Sequence, residues 1–174
     1  MIEILPMKPM LPTDLYVHLE KHGLLTLGMQ ADPSRLVGLC RVSSFFVWSD
    51  GEEPVALMIE TPTGEPGCIN LVIIPEDKTL GKRLWNDSVA IGQGLQLLWF
   101  EQNGLRRVQA FVPESRVNMQ RVFRAMGFIE ETRRKLGLRG YFAFDGKEPQ
   151  AAQIWSLMPG DEGGKDRIGI AESS

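Results

Sequence analysis

The residues with the clearest chemical potential lie in a short loop, PEDKTLGKR, at positions 75–83. The loop follows a run of Ile, Leu and Val typical of a buried strand, and it precedes a long segment with helical periodicity. A helix that starts after such a loop presents unpaired backbone N–H groups and the positive end of its dipole. With the charge of Lys78 and the backbone freedom of Gly81, the loop predicts a phosphate-binding site. An ordinary charged connection between a strand and a helix is the alternative.

Positive charge is concentrated between Gly104 and Gly140, although the whole chain has a net charge of -3. The basic residues of that segment are Arg106, Arg107, Arg116, Arg121, Arg124, Arg133, Arg134, Lys135 and Arg139. Such a local field suits a polyphosphate ligand or a nucleic acid, and a solvated face without a partner is the alternative. The segment lacks the interleaved exposed aromatic residues that single-strand binders use for stacking, so nucleic-acid binding ranks last among these hypotheses.

Length and composition limit the classes of protein that fit. The 174 residues suit one domain with a substantial core, and 43% hydrophobic with 24% charged residues is the balance of a soluble globular protein. No apolar run approaches the roughly 20 residues needed to cross a bilayer, and residues 1–11 lack the pattern of a signal peptide. We therefore expect a cytoplasmic protein without membrane association. Cys40 and Cys68 match neither a metal-site spacing nor a disulfide framework, so we expect structural cysteines and no bound metal.

The N-terminal quarter of the chain predicts one strand and two helices, over residues 1–5, 14–22 and 33–39. Thr13 and Asp32 offer side-chain oxygens as helix caps, and Gly23 suits the left-handed position that ends the first helix. The prolines at positions 6, 9 and 12 are expected to prevent regular structure between the strand and the first helix.

The rest of the chain predicts an antiparallel meander followed by a crossover. Strands are expected over residues 45–48, 55–61, 69–74 and 108–112, helices over 81–102 and 116–126, and closing strands over 128–135 and 153–158. A turn at Asp50-Gly51 joins the first two strands of the meander. The long helix between the strands at 69–74 and 108–112 requires a right-handed parallel crossover. Residues 1–158 should form one domain, with a flexible tail over 159–174.

The order of elements from Cys68 to Phe128 resembles the acyl-CoA-binding half of the GNAT superfamily of N-acetyltransferases. The family loop carries Arg or Gln, two residues, Gly, one residue, then Gly or Ala, and Lys78, Gly81 and Arg83 stand at those positions. The segment PESRVNMQRVFRAMGF resembles the family pattern in which a strand ends, an Asn follows, and a short helix terminates in Gly-Phe. Its continuation FIEETRRK and the later IWSLM look most like the RimJ/RimL branch of ribosomal-protein N-acetyltransferases.

This resemblance implies a fold, a co-substrate and a mechanism. The fold is α/β, with a central twisted mixed sheet, helices on both faces, and a coenzyme-binding core over residues 68–128. The co-substrate is acetyl-CoA, whose thioester is attacked directly by an amine from a small molecule or a peptide, while a backbone amide polarises the thioester carbonyl. The implied coenzyme contacts are the backbone of Val72, Ile73 and Ile74, the loop residues Lys78, Thr79, Leu80, Gly81, Lys82 and Arg83, and the residues Arg116 and Phe123.

Several positions depart from the family pattern. Phe123 stands where many members carry a tyrosine that protonates the leaving thiolate, and a phenyl ring has no proton to give. Arg116 stands where Asn is usual, and Arg83 replaces a small residue, so its side chain either adds a phosphate contact or closes the loop. Ser115 is a candidate to order a water or the thiol, and helix N-capping is its alternative role.

Two carboxylates are candidates for the base that accepts the ammonium proton. Glu60 lies on the strand before the coenzyme-binding strand, and Glu76 lies at the mouth of the loop. For either one, an exposed and solvated side chain is the alternative. His18 and His22 have the one-turn spacing of a metal pair, but without further ligands we assign them to the surface.

We therefore predict an acetyl-CoA-dependent N-acetyltransferase whose amine acceptor the sequence does not identify. The departures at Phe123, Arg116 and Arg83 motivate an alternative, a catalytically silent GNAT-fold protein that serves as a structural or binding module in a larger assembly. A homodimer or another assembly partner fits either prediction. The residues that select the acceptor are expected in segments 7–42 and 136–153, and the four tryptophans are expected in the core.

Overall fold

The computed structural model describes residues 1–76, 80–131, 138–143 and 148–161, and for residues 80–85 and 138–139 it describes the backbone only. A single mixed sheet is the centre of the fold. The strands are β1 (Ile2–Met7), β2 (Ser44–Asp50), β3 (Glu53–Pro62), β4 (Cys68–Pro75), β5 (Arg107–Pro113), β6 (Ile129–Glu130), β7 (Leu138–Phe142) and β8 (Gln150–Leu157). They are ordered β1-β2-β3-β4-β5-β8-β6, and β7 also pairs with β8. The helices are α1 (Pro12–Lys21), α2 (Leu27–Ala31), α3 (Arg35–Val42), α4 (Leu80–Gln96) and α5 (Val117–Ala125).

The predicted meander is confirmed, and so is the parallel pairing of the two strands that the long helix connects. β2, β3 and β4 pair antiparallel in sequence, and Gly51 at the first turn has a φ of 63°, a conformation that glycine adopts without strain. β4 and β5 pair parallel, with α4 between them in sequence. The other pairs in the described sheet are antiparallel, so the sheet is mixed, as expected.

Helices cover both faces of the sheet, so alternate residues of the central strands pack into two different cores. On β3, Ala56 and Met58 pack into a cluster with residues of α4 and α5, whereas Leu57 and Ile59 pack into a second cluster with residues of α1 and α3. Trp48, Trp99 and Trp155 are fully buried in the first cluster, which confirms the core assignment for these three tryptophans. The fourth, Trp85, has its side chain outside the described part.

Two helix starts differ from the predictions because proline and backbone groups replace the expected caps. α1 begins at Pro12, its N-cap is Leu11, and no side chain caps it, so the prediction that Thr13 is the cap was wrong. Asp32 accepts a hydrogen bond from the Ser34 amide at 3.2 Å in a turn, and α3 begins only at Arg35. Gly23, with a φ of 66°, follows the end of α1 as expected.

Two strands contain residues that the sequence analysis placed in loops. Pro6 lies within β1, opposite Phe46, and the sheet order places β1 at an edge, where proline is tolerated. β7 lies between the two predicted closing strands, where no strand was predicted, because its pairing with β8 is a tertiary contact that local propensity does not encode. The closing pair forms between β6 and β8. The C-terminal tail over 162–174 lies outside the described residues.

A π-helical turn, Leu97–Gln102, ends the long helix and positions Trp99 against the sheet. The helix itself was predicted, but this change of winding was not. Gly92 allows the helix to pass close to the end of α5, since an added Cβ would lie 2.6 Å from the Met126 carbonyl oxygen. Gly94 has open space around it. Among the helices in the described residues, none combines the length and the apolar character that a membrane crossing requires.

Candidate active-site cleft

A cleft opens in the sheet where β4 and β5 separate. Their parallel register runs from Cys68 opposite Arg107 to Leu71 opposite Ala110. Both strands then continue, β4 to Pro75 and β5 to Pro113, without further pairing to each other. Beyond Leu71, the backbone groups of β4 and β5 that face each other are therefore not hydrogen-bonded across these two strands.

The register of β3 and β4 determines which backbone groups face the cleft. The Glu76 amide donates to the Val55 carbonyl at 3.0 Å, and pairing continues without a bulge to Pro62 opposite Ile69. Because backbone groups alternate between neighbours along a strand, Val72 and Ile74 direct theirs toward β3. Ile73 directs its amide and carbonyl toward β5, into the cleft.

The cleft has mainly apolar walls and about 390 Å³ of empty space, part of it open to solvent. Residues that line it are His22, Leu24, Leu71, Val72, Ile73, Pro75, Phe111, Val112, Pro113, Arg116, Met119 and Phe123. Four of the predicted coenzyme residues are thus brought together: Val72, Ile73, Arg116 and Phe123. The ring of Phe123 is buried and packs edge-to-face on Phe128 at a centroid distance of 5.0 Å.

Arg116 connects the two sides of the cleft. It is the N-cap residue of α5, and its guanidinium donates a hydrogen bond to the backbone carbonyl of His22 just after α1. The bond joins residues that are 94 positions apart in the chain. Arg116 therefore fixes the end of α1 beside the cleft, a role that the resemblance did not suggest.

His22 brings a titratable side chain to the cleft. Its Nε2 atom is buried and has no hydrogen-bond partner in the described structure. The His18 ring lies 5.5 Å from the His22 ring, and His18 Nε2 is 3.3 Å from a carboxylate oxygen of Glu76. Burial lowers the pKa of His22, the neighbouring side chains of His18, Lys21 and Arg116 lower it further, and Glu76 opposes them. The imidazole is therefore neutral at pH 7 and able to accept a proton.

The candidate base Glu60 lies outside this arrangement. Its side chain accepts a hydrogen bond from the Trp99 indole nitrogen at 2.6 Å. It shares the face of β3 that carries Ala56 and Met58, and it is not among the cleft-lining residues. Burial raises the pKa of Glu60, and the Trp99 hydrogen bond partly offsets that effect. A raised pKa is common at catalytic sites, but here it arises from packing beneath the π-helical turn.

Ser115 and Glu76 lie at the margins of the cleft. Ser115 is exposed and donates to the Gln150 side-chain oxygen at 2.5 Å, so it does not cap α5, contrary to its alternative role. Glu76 follows β4 directly and contacts His18, about a third of its side chain being exposed (36%). Lys78 and Thr79 lie outside the described residues. For Leu80, Gly81, Lys82 and Arg83 the backbone forms the first turn of α4, but their side chains lie outside the description.

A second, larger cavity adjoins the cleft on the face covered by α1, α2 and α3. It contains about 650 Å³ of empty space, part of it open to solvent, and we call it the acceptor cavity after the role that we propose for it. Leu24, Val72 and Phe111 line both the cleft and this cavity, so the two are separated only by side chains at the point where β4 and β5 diverge.

Solved structures with the same architecture include several spermidine N-acetyltransferases from Vibrio cholerae. Mutant forms of the spermidine/spermine N-acetyltransferase match over 99% of this chain and 98% of theirs, with a TM-score of 0.62 and 14% sequence identity. The same enzyme in complex with CoA and spermine matches over 92% of this chain and 96% of its own, with a TM-score of 0.61 and 15% identity. This chain has the GNAT acetyltransferase fold. At these identities the likeness establishes the fold alone.

A dodecameric form of the Vibrio cholerae spermidine N-acetyltransferase also shares the GNAT fold, with a TM-score of 0.58 and 14% identity over 90% of this chain and 93% of that one. No protein-family model and no curated protein matches the sequence. The GNAT fold that the segment from Cys68 to Phe128 predicts is therefore confirmed by architecture rather than by sequence similarity.

Sequence reasoning missed His22, Leu24 and Phe111 as cleft residues. The available signal for His22 was its position at the end of an amphipathic helix, directly before Gly23, where the chain must turn back toward the sheet. Because the one-turn spacing of His18 and His22 suggested only a metal pair, both were assigned to the surface. Among the residues that the structure describes, no group of three potential ligands converges on a metal position.

Proposed function

We propose that the protein is an acetyl-CoA-dependent N-acetyltransferase that acts on a primary amine by direct attack. The observation that carries the proposal is the separation of β4 and β5 beyond Leu71 and Ala110, which leaves the backbone of Ile73 facing an apolar cleft. An extended pantetheine arm needs such a gap, because its amides pair with free backbone groups in place of the missing strand contacts. The first turn of α4, with Lys78 to Arg83, would hold the diphosphate.

In this reaction the amine nitrogen forms a bond to the thioester carbonyl carbon, and the carbon–sulfur bond breaks. The ammonium group gives one proton to a base before the attack, and the attacking nitrogen loses a second proton to the leaving thiolate, so the products are an amide and the coenzyme thiol. The Ile73 amide would donate to the developing oxyanion. His22 Nε2 would take the proton, since it is neutral, buried and unpartnered in the described cleft. Glu76 would orient the histidine pair through His18.

Two other residues that were predicted to be catalytic, Ser115 and Glu60, have supporting roles in this proposal. Ser115 lies beside Arg116 and would order a water near the thiol only after release from Gln150. Glu60 would need a water chain to reach the cleft, because its carboxylate contacts Trp99. We expect neither to replace His22 as the first proton acceptor.

The finer assignment to the RimJ/RimL branch rests on the sequence segments FIEETRRK and IWSLM. Within it, the acceptor would be an N-terminal amine of a protein. The solved structures of similar fold are spermidine N-acetyltransferases instead, and one of them is dodecameric. We propose an amine acceptor, and a homodimer or another assembly partner is consistent with the same fold.

Phe123 and Arg116 favour a second candidate, a coenzyme-binding protein without turnover. The phenyl ring supplies no proton for the leaving thiolate, and it is fixed by its edge-to-face contact with Phe128. Arg116 engages the His22 carbonyl rather than projecting freely into the cleft. A protein that binds acetyl-CoA in this cleft without transferring the acetyl group would have these features.

Two measurements separate the candidates. Acetyl-CoA at about 100 times its Kd should stabilise the folded protein by about 2.7 kcal/mol and raise its Tm. Thiol release with an amine panel then reports turnover. A Tm shift with thiol release supports the enzyme, a shift without release supports the silent binding protein, and the absence of a shift overturns both. Phe123→Tyr is the matched variant, because it adds one hydroxyl at the position where the family donates a proton.

A further inference from the structure

The acceptor cavity has a lining that discriminates between classes of amine. No Asp, Glu, Lys or Arg occurs among its lining residues within the described part of the chain. Its polar side chains are Thr26, Thr61, Asn70 and Tyr141, and its other lining residues are aliphatic, aromatic or Met. A mostly apolar lining with a few polar groups is typical of small-molecule sites.

Three of those polar side chains already have partners inside the protein. Thr26 Oγ1 accepts from the Met29 amide at 3.1 Å, and the Thr61 hydroxyl pairs with Ser43 at 2.8 Å. Asn70 Oδ1 accepts from Gln109 Nε2 at 2.7 Å. These groups therefore have less hydrogen-bonding capacity left for a ligand. A second ammonium group buried in the cavity would need a carboxylate or several carbonyl oxygens as partners.

Aromatic rings form one wall of the cavity. Phe111 stacks on Tyr141 at a centroid distance of 5.2 Å and an interplanar angle of 15°, and Tyr141 meets Phe142 edge-on at 4.9 Å. Burial raises the pKa of Tyr141, so its hydroxyl stays protonated. Since Phe111 also lines the cleft, an aromatic or aliphatic body held on this wall would direct its amine toward the diverging strands.

We propose that the acceptor is a monoamine with an apolar body, and that polyamines are excluded. This inference rests on the acetyltransferase function proposed above. It differs from what the architecture alone would suggest, because the solved structures of the same fold named above are spermidine N-acetyltransferases.

The test compares phenethylamine and isopentylamine with spermidine and putrescine, using thiol release from acetyl-CoA at pH 7.5. Phenethylamine should exceed spermidine by about 100-fold in kcat/KM, because a second ammonium group would be buried without a partner. A peptide with an N-terminal Leu is included, since its free amine and apolar side chain present the same chemistry from a different source. Equal or better turnover of spermidine overturns the inference.

A pair of matched variants locates the acceptor. Met29 lines the acceptor cavity, whereas Met10 packs on the same core without lining it. Met29→Trp should raise the KM for phenethylamine by about 10-fold and leave the KM for acetyl-CoA unchanged, because it fills space in the cavity alone. Met10→Trp should change neither constant. An equal response of the two variants places the acceptor elsewhere and overturns the inference.

A binding measurement tests the inference even if no amine is acetylated. Calorimetric titration of the CoA-loaded protein with phenethylamine and with spermidine measures the same preference without chemistry. Preferential binding of phenethylamine supports the inference, whereas preference for spermidine or binding of neither overturns it. Failure of acetyl-CoA to raise the Tm overturns the proposed function itself, so the two failures are distinguishable.

Discussion

His22 is the single side chain on which the proposed chemistry depends most. We expect His22→Gln to lower kcat by about 100-fold with little change in the KM for acetyl-CoA, because proton transfer is lost while the cleft keeps its shape. The wild-type rate should fall on the acid side as His22 becomes protonated. Since the pKa of His22 is lowered, the rate should fall only at a pH below 6.5, the ordinary pKa of a histidine. In His22→Gln this loss of rate should be absent. The measurement is kcat against pH.

Lys21→Gln provides the control for that experiment. The Lys21 charge lowers the pKa of His22, so its removal should move the acid limb to higher pH while the plateau rate stays the same. A limb that stays unchanged in both variants would mean that another group titrates.

Glu60 should affect stability rather than the chemical step. Burial raises the pKa of Glu60 above its ordinary 4.5, so the folded state binds its proton more tightly than the unfolded state. The free energy of unfolding should therefore fall as pH rises from about 4.5 through the folded-state pKa. Glu60→Gln keeps an acceptor for the Trp99 indole and should abolish that fall. Urea unfolding at several pH values measures it, with the exposed Glu52→Gln as control; an unchanged slope in Glu60→Gln would contradict the assignment.

Among the elements, the crossing of α4 over the end of α5 is the most sensitive to a small change. Gly92→Ala would place a Cβ 2.6 Å from the Met126 carbonyl oxygen, and backbone cannot move aside cheaply, so we expect a loss of about 1–3 kcal/mol. Gly94→Ala meets nothing within 4 Å and should stabilise the helix by up to about 1 kcal/mol. Urea unfolding compares the two. Equal effects would show that helix propensity, not packing, dominates.

Some elements could be predicted from the residues within them, whereas others depend on tertiary contacts. Periodicity predicted the strand from Cys68 to Pro75, the long helix and the crossover, because buried β-branched runs and an amphipathic stripe are properties of neighbouring residues. β7 was missed because Gly140, with a φ of 65°, interrupts its pattern, and pairing with β8 stabilises it. The coenzyme-binding core over residues 68–128 was expected from the resemblance, but the acceptor cavity depends on contacts between distant segments that no local pattern contains.

At the level of the whole molecule, one sheet separates two cores, and the proposed reaction takes place where that sheet opens. The first core packs against α4 and α5, and the second packs against α1 and α3. Because β4 and β5 diverge, the cleft reaches residues of both faces, with Phe123 on one side and Leu24 on the other. Co-substrate and acceptor could thus approach from opposite faces without competing for the same surface.

The connection after α1 is joined to a strand that comes much later in the sequence. The Ala143 amide donates to the Leu25 carbonyl at 2.7 Å, and Thr26 forms an isolated bridge with Phe142. During translation, residues 24–29 leave the ribosome long before residues 141–143, so the nascent chain lacks the wall of the acceptor cavity that Tyr141 and Phe142 form until the later segment has been made. A growing chain would gain the amine recognition proposed for this cavity only after β7 has been synthesised and has paired with β8.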